Sequence, residues 1–212
     1  MDQTHIYKCN KISKYYGGTY IIETNTIDCN GHQILFKNEW LNEQGTFEFK
    51  LTNFSNTCQN MFGDCVNLTH LPENFTLPST LKSCQYMFEK CTSLTHLPKK
   101  FTLPSNVRYA DNMFEKCTSL TELPELFSLP EGIRGVGEMF SGCKSLTKLP
   151  EGFTIPNSVK YCDSMFWNCQ SLTNIPPQFS IPMNSNYDAM FFNCFNLTND
   201  QKRIENYLLM EI

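Results

Sequence analysis

Four residues near the N-terminus have the types and the spacing of a zinc site. His5 is followed by Cys9 after three residues, and Cys29 is followed by His32 after an Asn-Gly dipeptide that favours a tight turn. Thiolate sulfur and imidazole nitrogen are the usual ligands of structural zinc, and four of them complete a tetrahedral shell. The alternative, which we favour, places both cysteines in hairpin cores and both histidines in solvent.

The cysteines are numerous, and most of them recur at fixed positions. The chain has 11, an odd count, so at least one thiol lies outside any intrachain disulfide. Six occupy one recurring column: Cys65, Cys91, Cys117, Cys143, Cys169 and Cys194. A second column contains Cys58, Cys84 and Cys162, but Ala110, Val136 and, in the last copy, Tyr187 stand at the equivalent positions. A position that accepts Cys, Ala and Val requires a small buried group, so we predict reduced core thiols in both columns.

No arrangement typical of a catalytic site stands out. The repeats contain two histidines, His70 and His96, which share one variable position, while the cysteines fall at positions predicted to face inward. A glycine group, Gly132, Gly135 and Gly137, does not match a phosphate-binding loop. The sequence therefore predicts a protein without enzymatic activity and without a cofactor.

An internal repeat determines the elements that carry these residues. The dipeptide Met-Phe begins at Met61, Met87, Met113, Met139, Met165 and Met190. The first five copies read M-F-x-x-C-x-x-L-T-x-[LI]-P-x-x-F-[ST]-[LI]-P, and the sixth keeps only M-F-x-x-C-x-x-L-T. The step is 26 residues, or 25 for the last. A period of this length with fixed apolar columns is typical of a solenoid, in which each unit buries its apolar edge against its neighbours.

Each coil is predicted to contain one strand and one short helix. The F-[ST]-[LI] segment alternates apolar and polar residues, as a strand with one buried face does, and a proline follows it. The stretch from there to Met-Phe is long enough for a turn and about two helical turns. The predicted fold class is therefore an α/β repeat solenoid, leucine-rich-repeat-like, with six coils of about 26 residues.

Both ends of the repeat are predicted to be capped. Residues 1–46 contain a Gly-Gly and an Asn-Gly dipeptide between β-prone runs, which indicates two hairpins in a small antiparallel sheet. Residues 47–198 are predicted to form the solenoid, and residues 199–212 a C-terminal capping helix. Such caps cover the apolar faces that a stack of coils leaves open at its ends.

The repeat resembles the irregular leucine-rich repeats of the BspA type and the related M-F-x-x-C-x-x-L repeats of mycoplasma-like surface proteins. The resemblance rests on Met-Phe, Cys and Leu at fixed offsets and covers about residues 49–198. It implies a surface or interaction protein of bacteria, protists or their viruses, without enzymatic activity. The N-terminal MDQTHIYKCNKISKYYGG lacks the apolar core of a signal peptide, so we expect no export by the usual route.

Positions that vary between copies are expected to face solvent, and three sets of them are candidate partner-binding residues. The first is a row whose chemistry changes from copy to copy: His70, His96, Glu122, Lys148 and Asn174. The second is a basic column, which an acidic peptide or phosphate groups would fit: Lys82, Arg108, Arg134 and Lys160. The third is a C-terminal aromatic group: Trp167, Phe192 and Phe195. The alternatives are a solvated edge for the column and packing under the terminal helix for the aromatics.

Composition narrows the class of partner. The net charge is −4, with 18% charged and 13% aromatic residues, which fits neither a disordered tail nor a general nucleic-acid binder. No stretch approaches the roughly 18 apolar residues of a membrane span. We therefore predict a protein–protein interaction module in the cytoplasm or within a viral or phage particle, whose partner is another protein or copies of itself. Two alternatives stay open: a structural subunit of a large assembly such as a virus or phage particle, and a surface adhesin.

Overall fold

The computed structural model describes the backbone of residues 19–21, 26–29, 32–36 and 49–52, and it describes residues 57–197 in full except 67, 72, 74 and 78. The predicted C-terminal capping helix lies outside the described residues. The metal candidates His5 and Cys9 lie outside them as well.

An antiparallel sheet precedes the repeats. Its strands are β1 (Thr19–Ile21), β2 (Thr26–Cys29), β3 (His32–Phe36) and β4 (Phe49–Thr52), and their order in the sheet follows the chain. In the β2–β3 pair Ile27 faces Ile34, and Cys29 faces His32. The two strands are therefore joined across the Asn-Gly dipeptide, as the sequence predicts for a tight hairpin. The strand β1 begins directly after the Gly-Gly dipeptide and pairs with β2.

From residue 57 onward the chain stacks in coils that are joined by parallel bridges of one residue each. One bridge position, four residues before each methionine, recurs in every coil: Thr57, Ser83, Tyr109, Gly135, Tyr161 and Asn186. A second bridge position joins His70 to His96 and Lys148 to Asn174. The coils are thus in parallel register at the spacing of the sequence repeat, which is the arrangement of a solenoid.

The strand and the helix predicted for each coil are both absent from residues 57–197, as far as the structure describes them. The F-[ST]-[LI] segments are not strands, and the segments around Met-Phe consist of turns. The sequence-based prediction of coil content was therefore wrong, although the predicted stacking is correct. The reason lies in the direction of the backbone hydrogen bonds.

Alternating amides explain the turns around Met-Phe. The amides of Cys84, Tyr86, Phe88 and Lys90 donate to carbonyl oxygens 25 residues later, in the next coil, at 2.6–3.0 Å. The amides of Met87 and Glu89 donate three residues back within the same coil, to Cys84 at 3.2 Å and to Tyr86 at 3.1 Å. An α-helix would direct every amide four residues back along its own axis and would leave adjacent coils without backbone bonds.

This alternation uses two left-handed residues in each coil, one just before the methionine and one three residues after it. In one coil they are Asn112 (φ 57°) and Lys116 (φ 59°), and in the next they are Glu138 (φ 52°) and Gly142 (φ 72°). A left-handed conformation costs most L-residues about 1–2 kcal/mol. The bonds between coils must offset that cost, because Lys and Glu have no local preference for this conformation.

Two stacks of phenylalanine rings run through the core of the solenoid. The first has ring centroids 5.2–5.6 Å apart and contains Phe62, Phe88, Phe114, Phe140, Phe166 and Phe191. The second has centroids 6.1–6.3 Å apart and contains Phe75, Phe101, Phe127, Phe153 and Phe179. The stacks meet edge to face, as between Phe101 and Phe114 at 6.0 Å, a geometry that aromatic quadrupoles favour. The methionine, cysteine and leucine columns pack around them, and the inward positions agree with the sequence-based prediction.

Candidate interaction surface

The row of variable residues lies on the outer surface of the solenoid. All five members, His70, His96, Glu122, Lys148 and Asn174, are exposed. Each follows a threonine, and these threonines are also exposed. The row therefore presents four different chemical groups over five coils from a single position of the repeat.

A ladder of threonines holds this row in place. The amide and the hydroxyl of Thr95 both donate to the carbonyl oxygen of Thr69, at 3.0 and 3.1 Å. The same double contact joins each later pair of coils through Thr121, Thr147 and Thr173. Because one carbonyl binds two donors of the next threonine, the backbone beside the row is fixed at the spacing of the coils, about 4.8 Å. The threonines of this ladder are the Thr of the L-T-x-[LI]-P segment in the first five copies of the repeat.

The two histidines of the row stack on each other, and each is hydrogen-bonded to the hydroxyl of the threonine that precedes it. Their ring centroids lie 6.2 Å apart with the planes within 6°. Nδ1 of His96 lies 2.9 Å from the hydroxyl oxygen of Thr95. Since that hydroxyl donates its one proton to Thr69, the network assigns Nδ1–H of His96 as the donor to the hydroxyl oxygen.

The basic column lies on a second backbone ladder. The amide of Arg108 donates to the carbonyl of Lys82 at 2.8 Å, Arg134 to Arg108 at 2.7 Å and Lys160 to Arg134 at 2.8 Å. The ion pairs among the described residues join lysines to neighbouring glutamates elsewhere, and none involves the column. Four cations in successive coils thus face solvent or their own backbone, and their charge is available to a partner.

Asp111, which lies three residues after Arg108 in the sequence, has hydrogen-bond partners outside the basic column. Asp111 accepts a hydrogen bond from the Gly137 amide at 3.1 Å and one from Nε2 of Gln85 at 2.9 Å. Oδ1 of Asp163 lies 3.3 Å from the place where a β-carbon of Gly137 would stand. Burial raises the pKa of the Asp111 carboxyl against the opposing hydrogen bonds, and repulsion by Asp163 raises it further.

A second acidic group lies next to this pair. Burial raises the pKa of Glu138, and repulsion by Glu115 adds to the increase. Glu115 itself accepts a hydrogen bond from Nδ2 of Asn112 at 3.0 Å and is paired with Lys116. Asp111, Glu115, Glu138 and Asp163 form an acidic cluster. It holds more carboxylates than the nearby cation Lys116 neutralises, which disfavours the form in which all four are ionised.

The C-terminal aromatic group is partly exposed. The side chains of Phe192 and Phe195 are 60% and 71% exposed, and Trp167 is half-buried. Packing under a terminal helix, the alternative for this group, concerns residues outside the described part of the chain. Phe192 and Phe195 are consistent with a contact surface, since exposed aromatics are enriched at interfaces.

Two exposed tyrosines are surface features that the sequence-based reasoning missed. Tyr109 and Tyr161 are 38% and 57% exposed and occupy the same bridge position two coils apart. Gly135 occupies that position in the coil between them. The signal was present in the repeat, because the three residues stand at equal offsets from Met113, Met139 and Met165.

The thiols of the repeat are mostly buried and unreactive. Eight described cysteines are free and buried. Burial raises the pKa of Cys91 to about 12 and that of Cys194 to about 11, well outside the range of a nucleophilic thiolate. The prediction of reduced thiols was wrong for Cys65, which is disulfide-bonded. Cys65 stands in the first coil and is only partly buried, unlike the later members of its column.

The predicted zinc ligands are only partly placed. Cys29 and His32 face each other across the β2–β3 hairpin, but only their backbone is described. No group of three or more His, Cys, Asp and Glu side chains that could hold a metal ion occurs in the part of the chain described with side chains. The zinc site stays a prediction.

Two solved bacterial structures are similar to this chain. One is a leucine-rich repeat protein from Bacteroides ovatus, 21% identical, with a TM-score of 0.41 over 77% of this chain and 50% of that one. The other is a leucine rich cell surface protein from Faecalibacterium prausnitzii, 24% identical, with a TM-score of 0.49 over 78% of this chain and 40% of that one. This chain therefore spans half or less of the length of either protein. A comparison with curated proteins finds no match.

The family model for the BspA type leucine rich repeat region matches residues 35–149 and 85–207, with six copies. The two matches overlap and together cover most of the chain, including all the Met-Phe repeats. The described residues include no helix with the length and apolar character needed to cross a bilayer. On the strength of the repeat, its stacked coils and this match, the chain belongs to the BspA type leucine-rich repeat family.

Proposed function

We propose that the protein is a non-catalytic module that binds another protein through the exposed row His70, His96, Glu122, Lys148 and Asn174. The observation that carries this proposal is a contrast within each coil. The core columns repeat almost unchanged, whereas the row changes from imidazole to carboxylate, ammonium and amide on a fixed backbone. An ordered series of different polar groups favours one partner over others through charge and hydrogen-bond complementarity.

Family membership supports a binding role, because leucine-rich repeat domains generally mediate protein–protein interactions. Solenoids provide long surfaces for such contacts. The basic column runs along the same coils as the row, so a partner with acidic groups is favoured. A non-catalytic role is further supported by the free thiols, which are buried with raised pKa values, and by the two repeat histidines, which bond to threonine hydroxyls.

The test is chemical crosslinking in extracts of the source organism, with partners identified by mass spectrometry. A row variant changes His70, His96, Glu122 and Lys148 to Ala. A matched control changes four exposed residues from another position of the same repeat: Ser79, Ser105, Glu131 and Asn157, each to Ala. All eight side chains are exposed, so both variants are expected to keep the stability of the parent within about 0.5 kcal/mol per site.

The expected result is a stoichiometric protein partner that crosslinks to the parent and the control and is lost with the row variant. Equal crosslinking of the partner to both variants would place the interface elsewhere and contradict the proposal. Light scattering of the purified chain separates self-association: an oligomer that the row variant converts to a monomer would identify the partner as a second copy of the chain.

A further inference from the structure

Two opposite charges stand in successive coils of the exposed row. Glu122 and Lys148 are both exposed. Across the described residues, the ion pairs join other lysines to neighbouring glutamates, and neither Glu122 nor Lys148 takes part in one. Their backbone positions are fixed by the threonine ladder, in which the amide of Thr147 donates to the carbonyl oxygen of Thr121 at 3.1 Å. One carboxylate and one ammonium are therefore held one coil apart, and their charges are available to a partner.

The period of the row restricts the partners that can follow it. Row members His70 and His96, and again Lys148 and Asn174, are paired as parallel bridges, so the row repeats at the coil spacing of about 4.8 Å. A partner strand lying along the row would present same-face side chains about 6.6–6.8 Å apart and would lose about 2 Å of register at every coil. A helix, with a pitch of about 5.4 Å, falls out of step by about half a coil over the row.

Stacked coils of a second solenoid have the same period and stay in register along the whole row. A second copy of this chain is a partner of that kind. The remaining question is its orientation, which the order of charges in the row decides.

An antiparallel second copy is complementary to the row. A two-fold axis between the coils of Glu122 and Lys148 places Glu122 of each copy opposite Lys148 of the other. The same axis places His96 of one copy opposite Asn174 of the other, and the asparagine amide can both donate and accept a hydrogen bond. Four of the five row positions thus face a group of matching chemistry.

The parallel arrangements are less favourable. In register, they place Glu122 opposite its own equivalent and Lys148 opposite its own, and like charges directly opposite each other are destabilising. Shifted by one coil, they join Glu122 to Lys148 only once and leave both copies with unused surface, so the contact does not close into a dimer. The antiparallel arrangement uses the same patch on both copies and closes.

We infer that two copies of the chain associate antiparallel through the row, with Glu122 of each copy paired with Lys148 of the other. This inference rests on the proposed function, because it uses the same row, and it names the partner. Exposed ion pairs contribute little each and the contact is small, so we expect a Kd of about 10–100 µM at low salt.

The experiment is sedimentation velocity on the full chain, over about 3–300 µM to span that Kd, at about 0.05 and 0.5 M salt. The variants are Glu122→Lys, Lys148→Glu and the double variant that carries both changes. An equimolar mixture of the two single variants is measured as well. Glu125→Lys and Lys144→Glu, which make the same charge changes at exposed positions of the same two coils, are the matched controls.

The parent is expected to dimerise, and less so at high salt because salt screens exposed charges. Each single reversal makes both symmetric pairs repulsive and should raise the Kd at least tenfold, whereas the controls stay within about twofold. The double variant and the mixture should recover the dimer, since every pair again joins a carboxylate to an ammonium. If a reversal variant does not fold, Glu122→Gln and Lys148→Gln carry the test, and each should raise the Kd several-fold.

The inference is overturned if the parent stays monomeric over the whole range, if both single reversals dimerise as the parent does, or if the folded double variant does not recover the dimer. A monomeric parent that still crosslinks to another protein through the row overturns this inference and leaves the proposed function standing. A foreign partner that crosslinks equally to the row variant contradicts the proposed function instead.

Discussion

The thiol of Cys143 donates a hydrogen bond to the carbonyl oxygen of Phe114 in the preceding coil, with 3.2 Å between sulfur and oxygen. That oxygen also accepts the amide of Cys117 at 3.1 Å. The same thiol contact is made by the other members of the column from the second coil onward: Cys91, Cys117, Cys169 and Cys194. The cysteine column is therefore a hydrogen-bonded ladder between coils, which explains why the position holds a small apolar group with a donor.

Replacing Cys143 by Ala is expected to lower the free energy of unfolding by about 1–3 kcal/mol, because the change removes a fully buried sulfur and its hydrogen bond. Urea denaturation measures the difference. The exposed neighbour Lys144, changed to Ala, is the control and is expected to stay within about 0.5 kcal/mol of the parent. A Cys143→Ala variant as stable as the control would show that the ladder contributes nothing.

A central phenylalanine of the first ring stack should contribute more to the free energy of unfolding than the terminal one. Phe114 stacks on Phe88 and Phe140 at 5.4 and 5.6 Å, whereas Phe191 stacks on Phe166 alone among the described rings of its ladder. We expect Phe114→Ala to cost about 3–5 kcal/mol and Phe191→Ala clearly less. Denaturation of the two variants side by side tests this. Equal losses would argue against stacking as the source of the difference.

The left-handed positions predict a pair of opposite effects. Ala189 is exposed and has φ 53°, so Ala189→Gly should stabilise the protein by up to about 1 kcal/mol. Gly142 has φ 72°, and a β-carbon there would lie 3.2 Å from Cγ of Lys116, so Gly142→Ala should destabilise it by about 1–2 kcal/mol. Thermal unfolding of both variants gives the signs. Destabilisation by Ala189→Gly would contradict the strain argument.

The acidic cluster predicts higher stability at mildly acidic pH. The folded-state pKa values of Asp111 and Glu138 are raised above their ordinary values of 3.8 and 4.5. The folded state therefore binds protons more tightly than the unfolded chain, and the stabilising contribution is full below those ordinary values and lost as pH rises through the folded pKa values. We expect Glu138→Gln to stabilise the protein at neutral pH and to reduce this pH dependence.

Urea denaturation of the parent and of Glu138→Gln, at neutral and mildly acidic pH, measures that effect. Glu151→Gln, at an exposed position of the same repeat, is the matched control. An unchanged pH dependence in the Glu138→Gln variant would remove Glu138 from the explanation.

The buried thiols predict strong protection from alkylating and disulfide reagents. Eight described cysteines are free and buried, and burial raises the pKa of Cys91 to about 12. Reaction with a chromogenic disulfide reagent at neutral pH should therefore release at least eight further thiols only when the protein is denatured. Fast reaction of the native protein would show that the coils open readily. A separate count after chemical reduction reports the disulfide of Cys65.

Much of the architecture follows from the sequence alone. The Met-Phe period of 26 residues predicts the stacking, and the fixed apolar columns predict the core, because a side chain such as Phe114 that recurs at every coil must meet its own equivalents. The exposed row of His70, His96, Glu122, Lys148 and Asn174 follows in the same way, since the repeat varies there. These predictions depend only on which positions of the repeat are constant and which vary. Comparing the copies within the sequence is enough to distinguish the two.

The content of each coil and the surroundings of Asp111 were decided by the tertiary structure. A segment as short as that around Met113 matches a helical pattern, yet its amides alternate between their own coil and the next because neighbouring carbonyls are within reach only in the stack. In the sequence Asp111 lies three residues after Arg108. In the structure the missing side chain of Gly135, one coil later, leaves the space that its carboxylate occupies. Contacts between residues about 26 positions apart depend on three-dimensional register and on the space that each side chain leaves, and neither can be read from one chain segment at a time.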